Sequence, residues 1–231
     1  MLPLSLVVFA YNEEANVASV VGDVLAWLRD RGAPYELLFV DDGSTDGTRA
    51  AAQAIAAAEP NCRVLVHDRN MGIGAALKTG VRAASLPWVS FLPCDGQIAG
   101  PEIDVLCRAA VRDDARAVFS VYRGRDDGLH RRLFSAGLRA LIVGMLGVHL
   151  RCEGPYLFRR ELFDPDRLPP NSFFLNFEFP IRLLRAGERI PVEVIECRRR
   201  RAGISKSTGF RRIAGVARDL ADLRLRLWRG R

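Results

Sequence analysis

Apolar and polar positions alternate along the chain in long blocks. A continuous apolar run at 4–10 meets Tyr11-Asn12-Glu13-Glu14. From about 13 to 31, Val17, Val20, Val21, Val24, Leu25 and Leu28 recur at i, i+3, i+4 and i+7, which predicts an amphipathic helix ended by Gly32. A second apolar run at 35–40 leads into Asp41-Asp42-Gly43-Ser44, and Thr45 or Asp46 is placed to cap an alanine-rich helix reaching 59. Strands are predicted at 62–66, 88–92 and 117–121, and helices at 74–84 and 101–111. Buried strands alternating with helices predict an α/β chain whose mostly parallel central sheet is covered on both faces. Beyond Tyr122 the rhythm lapses into a mixed second half. No repeat or low-complexity linker interrupts 1–209, which reads as one domain, and 210–231 reads as a basic amphipathic helix.

In such sheets, ligands sit outside the carboxyl ends of the strands, so what each strand ends in matters. The first ends in Tyr11-Asn12-Glu13-Glu14, the second in Asp41-Asp42-Gly43-Ser44-Thr45-Asp46, and the fourth in Cys94-Asp95-Gly96-Gln97. Three acidic segments thus converge on one rim. Carboxylates there suit a hard divalent cation that leaves positions for substrate phosphates, and they suit the hydroxyls of a ribose. The same residue types also cap helices and fill turns. That second reading weighs most for Ser44, Thr45 and Asp46, and least for two adjacent Asp at the end of a buried strand. Gly72-x-Gly74 offers a phosphate cradle, but it lacks the third glycine of a dinucleotide fingerprint and the Gly-Lys-Ser/Thr of a P-loop.

The chain has 231 residues, 49% hydrophobic and 26% charged, which excludes disorder, a coiled coil or a disulfide-stapled miniprotein. Its net charge of +7 is uneven. Residues 1–197 carry 22 Arg and Lys against 25 Asp and Glu, a net of −3, whereas 198–231 carry 12 against 2, a net of +10. Five scattered cysteines, with no C-x-x-C pair, point to reduced thiols in a cytoplasmic protein. The N-terminus has no basic segment or cleavage site of a signal peptide. The apolar stretch at 140–148 is far below the ~20 residues that span a bilayer.

In the tail, Phe210, Ile213, Val216, Ala217, Leu220, Leu223 and Leu227 share one helical face with Trp228 beside it, and Arg211, Arg212, Arg218 and Arg226 lie elsewhere. Such a helix lies in a membrane interface at the inner face of the cell membrane, or packs on its own sheet or a second subunit. Nucleic-acid-binding signatures are absent and the main body is acidic, so nucleic acid is not an expected partner.

The ordered set Val8-x-x-Tyr-Asn-Glu-Glu14, Phe39-Val-Asp-Asp-Gly-Ser-Thr-Asp-Gly-Thr48, Arg69-Asn-x-Gly-x-Gly74 and Pro93-Cys-Asp-Gly-Gln97 resembles the inverting family-2 glycosyltransferases, whose fold is the GT-A type. The resemblance covers roughly 4–125. The second half more loosely resembles the branch that includes the dolichol-phosphate mannosyltransferases, through Arg123, Arg131, Ser135, Gly154 and Arg200-x-x-Gly203-x-Ser205-Lys206. The resemblance implies a nucleotide-binding half at 1–122 and an acceptor half at 123–209. It further implies that Tyr11, Glu13, Asp41 and Asp42 contact the nucleotide. Asp95 and Gln97 would hold Mg²⁺ or Mn²⁺ on the donor pyrophosphate, and Arg123, Arg131, Arg200, Ser205 and Lys206 would face phosphates. Two positions depart from the family pattern: Phe9 replaces the usual Pro, and Pro93 replaces the first acid of the Asp-x-Asp metal motif.

The reaction implied is transfer of a sugar from a nucleotide-sugar donor to a polyprenyl phosphate. A phosphate acceptor is already ionised and needs cations to position it. The Arg198–Arg201 run, and Lys206 in a chain with one other lysine, Lys78, suit that acceptor. A soluble alcohol acceptor would instead need a general base, for which Glu178 is the candidate. A nucleotidyltransferase, which also places acids around a metal, is a further alternative.

Overall fold

The computed structural model describes residues 1–123, 129–169, 171–198 and 210–228; along 129–136 and at 210–214, 216 and 217 it describes the backbone only. Four βα units open the chain: β1 (Leu4–Ala10), α1 (Glu14–Asp30), β2 (Tyr35–Asp41), α2 (Thr48–Ala58), β3 (Cys62–Val66), α3 (Ile73–Ala83), β4 (Trp88–Pro93) and α4 (Pro101–Arg112). The mixed half follows: β5 (Ala117–Arg123), α5 (Leu129–Leu146), β6 (Leu157–Arg159), a 3₁₀ turn (Arg160–Leu162), α6 (Leu175–Arg185), β7 (Val192–Glu196) and α7 (Phe210–Trp228). The expected elements of the first half are present, with ends within three residues of expectation. The largest shift is at α2. Gly47 stands at its N-cap instead of Thr45 or Asp46, although Asp46 Oδ1 accepts the Thr48 N–H at 3.0 Å, as a capping side chain does.

The seven strands form one sheet in the order β3-β2-β1-β4-β6-β5-β7, all parallel except β6, which runs antiparallel to β4 and β5. The apolar run of β1 is continuous because both faces of the strand are covered. Leu4, Leu6, Val8 and Ala10 pack with α1, α2 and α4, while Val7 packs with α3 and with the helices of the second half. Gly80 lets α3 lie close on the sheet, since a Cβ there would overlap the Val7 side chain.

The segment that leads into β6 is anchored by side chains of β4 and β5. Ser90 Oγ donates to Tyr156 O at 3.0 Å, and Ser120 Oγ donates to Pro155 O at 2.6 Å. The Tyr156 ring is wholly buried, edge-on to Phe91 at 4.7 Å and beside Phe119, Phe158 and Phe179. Gly154 is required next to it, as a Cβ would lie 2.5 Å from Ser120 Oγ.

The apolar face of α7 packs inside this chain at the positions described. Leu220 and Leu223 are fully buried with the α5–α6 side of the core, and Leu227 packs against it. Three polar ties reinforce the seat. Ser172 Oγ donates to Asp219 Oδ2 at 2.6 Å, Arg224 donates to the carbonyl of Met145, and Arg226 grips Glu178. Trp228 points outward and is 83% exposed. Leu223→Ala should therefore cost about 2–5 kcal/mol in urea unfolding through cavity formation. Trp228→Ala should change stability by less than about 0.5 kcal/mol, as expected of a surface substitution.

No disulfide joins the cysteines, and Cys62, Cys94 and Cys107 are buried. Burial pushes the thiols of Cys62 and Cys107 up to about 11, and burial followed by the nearby Glu13 and Asp95 carboxylates pushes Cys94 up to about 12. These raised values favour the protonated native state, so the stability they confer is present below the ordinary thiol pKa and is lost as pH rises from about 9 toward 12. In the native protein at pH 8, Cys62, Cys94 and Cys107 should resist iodoacetamide, and unfolding in urea should expose all three, as read by mass spectrometry.

Candidate active site

Parallel pairing of β1 with both neighbours sets the carboxyl edge. Ala10 lies level with Asp41 across one side, and Phe9 lies level with Pro93 across the other. The chain then continues the ladder by one bond per loop: Asp42 N–H donates to Ala10 O at 2.9 Å, Cys94 N–H to Phe9 O at 3.0 Å, and His67 N–H to Asp41 O at 2.9 Å. Tyr11, Glu13, Asp41, Asp42, Asp95 and Gln97 are thereby brought to one edge. The strand order reverses between β1 and β4, the crevice where open α/β sheets bind ligands.

The first two loops are stitched together by their own polar groups. Asn12 adopts a left-handed φ of 53°. Its N–H donates to Ser44 Oγ at 2.9 Å, and its Oδ1 accepts the Thr45 N–H at 2.8 Å. Glu13 N–H donates to Thr48 Oγ1 at 2.8 Å, Glu14 Oε2 accepts the Gly47 N–H at 3.0 Å, and Asp46 Oδ2 accepts the Glu14 N–H at 3.3 Å. Ser44, Thr45, Asp46 and Thr48 are thus turn and capping groups. The Glu13 carboxylate accepts from Asn16 Nδ2 at 2.7 Å.

The paired acids have different tasks. Asp41 is wholly buried; its Oδ1 accepts the Ser44 N–H at 3.1 Å and its Oδ2 pairs with Arg49 Nε at 3.1 Å. Asp42 organises the next loop. Its Oδ1 lies 2.7 Å from His67 Nδ1 and accepts the Met71 N–H at 2.8 Å, while its Oδ2 accepts the Gly72 N–H at 2.8 Å. His67 Nε2 contacts Thr79 Oγ1 of α3 at 2.9 Å. The start of α3, with Gly72 at φ 91°, is thus fastened to the carboxylate expected to meet the nucleotide. Sequence reasoning missed His67, although it is the polar residue following the third apolar run, the same kind of position that drew attention to Asp41.

At the segment expected to hold a metal, Asp95 is 8% exposed and its Oδ1 accepts the Gln97 N–H at 3.0 Å. Gln97 also receives the end of β7: Arg198 N–H donates to Gln97 O at 2.8 Å, and Gln97 Nε2 donates to Arg198 O at 3.4 Å. Arg198, the first residue of the Arg198–Arg201 run, therefore lies against Gln97. Among the described residues no group of three His, Cys, Asp or Glu side chains surrounds a cation position. A single carboxylate and a carboxamide two residues on are the sparse oxygen donors that suit Mg²⁺ or Mn²⁺ when waters and substrate phosphates supply the remaining ligands.

Arg123 ends β5 on the same edge, level with Glu196 of β7, and is exposed. The Arg131 side chain, Arg200, Ser205 and Lys206 lie outside the described residues. Glu178 is 0% exposed. Arg182 Nε and Nη2 donate to its Oε1 at 2.9 and 2.8 Å, and Arg226 Nη1 and Nη2 fork onto Oε1 and Oε2, each at 2.9 Å. Both carboxylate oxygens are therefore held between α6 and α7.

Comparison with known proteins places this geometry in a family. The model of glycosyl transferase family 2 matches residues 5–165. The undecaprenyl-phosphate 4-deoxy-4-formamido-L-arabinose transferase of Aeromonas hydrophila is 31% identical over 70% of this chain and 50% of its own. The dolichyl-phosphate beta-glucosyltransferase ALG5A of Trichomonas vaginalis is 31% identical over 68% of this chain and 53% of its own. The chain spans about half the length of these relatives. Among solved structures, glucosyl-3-phosphoglycerate synthase from Mycobacterium tuberculosis, in complex with Mg²⁺ and uridine diphosphate, superposes with a TM-score of 0.69 at 25% identity, over 96% of this chain and 77% of that one. The seven-stranded sheet is the GT-A fold, and the chain belongs to glycosyl transferase family 2.

Proposed function

We propose that this protein is an inverting glycosyltransferase that moves a sugar from a nucleotide-sugar donor to a polyprenyl phosphate at the cytoplasmic face of a membrane. The observation that carries the choice of acceptor is the state of Glu178. The carboxylate expected to serve as base for an alcohol is buried and gripped by two guanidinium groups. That favours an acceptor which arrives ionised. Relatives named for undecaprenyl and dolichyl phosphates support the same acceptor class.

In this reading Tyr11 and Glu13 receive the base and ribose, with Asp41 and Asp42 shaping the loops around them. Asp95 and Gln97 hold a divalent cation on the donor diphosphate. Such a cation supplies charge stabilisation to the departing nucleoside diphosphate. Arg123, Arg131, Arg200, Ser205 and Lys206 align the acceptor phosphate and neutralise the charges that meet there. A phosphate oxygen attacks the anomeric carbon from the side opposite the leaving diphosphate. The new C–O bond forms as the old one breaks, the configuration inverts, and no proton has to be removed from the nucleophile.

A thermal-shift screen of UDP-, GDP- and dTDP-sugars should give a donor whose stabilisation requires Mg²⁺ or Mn²⁺. With that donor and a polyprenyl phosphate, the enzyme should release nucleoside diphosphate, and Asp95→Ala should lower kcat/KM by about 100-fold or more. Release of pyrophosphate would identify a nucleotidyltransferase instead. Transfer to phosphoglyceric acid but not to the lipid would identify a soluble acceptor.

No described helix is long and apolar enough to cross a membrane. We assign the lipid contact to the outer stripe of α7, where Arg218, Ala221, Leu225 and Trp228 recur at i, i+3, i+7 and i+10 and are all exposed. Cosedimentation with vesicles containing anionic lipid should fall several-fold for the Leu225→Ser/Trp228→Ser double variant, and should weaken with salt for the parent protein. Unchanged sedimentation would remove α7 from the membrane-contacting surface.

A further inference from the structure

Residues 171 and 172 lie between α7 and the carboxyl edge of the sheet. On one side, Ser172 Oγ donates to Asp219 Oδ2 of α7 at 2.6 Å. On the other, Asn171 O accepts the Ala75 N–H at 3.1 Å, and Asn171 Oδ1 accepts from the buried Lys78 Nζ at 3.0 Å, both in α3. The fit against α3 is close enough to require glycine. A Cβ at Gly74 would lie 2.5 Å from Ser172 O and 2.6 Å from Asn171 O. One turn back, the Met71 and Gly72 amides are held by Asp42.

We infer that α7 is a positioning element of the donor site: seated by the Glu178–Arg226 fork and the Asp219–Ser172 bond, it presses 171–172 onto the first turn of α3 and so fixes the loop that Asp42 grips. The inference rests on the reading that this edge takes the nucleotide. Glu178 and Arg226 are positioning residues that touch no substrate. The helix that carries Arg226 begins 45 residues beyond the family match at 5–165, so this support is built from the chain's own C-terminal part. It also gives Lys78 a task separate from that of Lys206: a point charge on α3 that holds the 171 carboxamide.

The contact network predicts a specific pattern. Glu178→Gln and Arg226→Met should each weaken nucleoside diphosphate binding by about 5- to 20-fold in calorimetry, within the usual range of coupling between sites. The double variant should bind no more weakly than the worse single one, because both substitutions break the same contact. The donor KM should rise while kcat at saturating donor stays within about twofold. Amide exchange at Ala75 and Ala76 should accelerate in the same variants, and Ser172→Ala, which removes the bond to Asp219 and the one accepted from the Phe174 N–H at 3.2 Å, should move both readouts in the same direction. Ile103→Val, in the core on the opposite face of the sheet, should leave nucleotide affinity and Ala75 exchange unchanged.

Unchanged affinity and exchange in folded variants would overturn the inference, leaving the fork a stabilising contact. A fall in kcat for Glu178→Gln alone, with KM unchanged and no matching effect of Arg226→Met, would also overturn it and make Glu178 a group acting on the reacting atoms. If the parent protein binds no nucleoside diphosphate, the reading of the site fails, while exchange at Ala75 and Ala76 still decides the positioning role.

Discussion

The pairing of β1 between β2 and β4 is the constraint on which the site depends. Seven residues of β1 run level with seven of β2, and six with β4, so a shift of one residue on either side would turn a buried face outward and separate the acidic loops by a full residue rise. Because both faces of β1 are buried, the register is fixed by packing on each side, from Leu6 and Val8 below to Val7 against Gly80 above. The three acidic loops meet only because this central strand holds its neighbours level. Each loop then extends the ladder by a single backbone bond, which carries the alignment from the strand ends into the loops themselves.

Most polar groups at the carboxyl edge are used to build the edge. Asp41 closes its own turn and pairs with Arg49; Asp42 gathers two amides and an imidazole; Asn12 ties the first loop to the second. An ionised carboxylate on a buried strand must be matched by donors or its desolvation would not be tolerated. The same donors give the loops one conformation, and a preorganised edge is what a diphosphate-leaving reaction needs, since no reorganisation is then left for the moment of bond cleavage. Under the proposed function, the residues that build this edge also surround the nucleotide, so substituting Asp42 would disturb the 71–72 loop it holds.

The first half of the fold was legible because period-2 and period-3.6 patterns and glycine stops are local signals, and the parallel sheet follows from their alternation. The second half was not. β6 has three residues, and the segment before it is held by Ser90 and Ser120, contacts that span 66 and 35 positions in sequence and leave no periodic trace. Asp42 and Asp95 were found by reading strand ends. His67 would have been found had the rule been applied to the third strand, whereas Asn171 and Lys78 meet only through the tertiary fold. Glu178 shows the limit of residue type as a guide. An acid at a helix start reads as a base or a cap, and only the arrival of Arg226 from 48 residues downstream turns it into an anchor.

The reversed β6 has a mechanical consequence. It meets β4 at two paired positions and β5 at two, whereas β1 and β2 share seven. The sheet is therefore a strong four-stranded slab joined to a smaller β5–β7 ribbon through a narrow hydrogen-bonded seam, reinforced by the aromatic cluster around Tyr156. Local opening free energies follow such differences in backbone pairing and packing. Slow fluctuations should therefore divide the molecule along β6, between the slab that carries Asp42 and Asp95 and the ribbon that ends in Arg123. A sheet with one sparse joint lets its two parts shift against each other while each keeps its internal geometry.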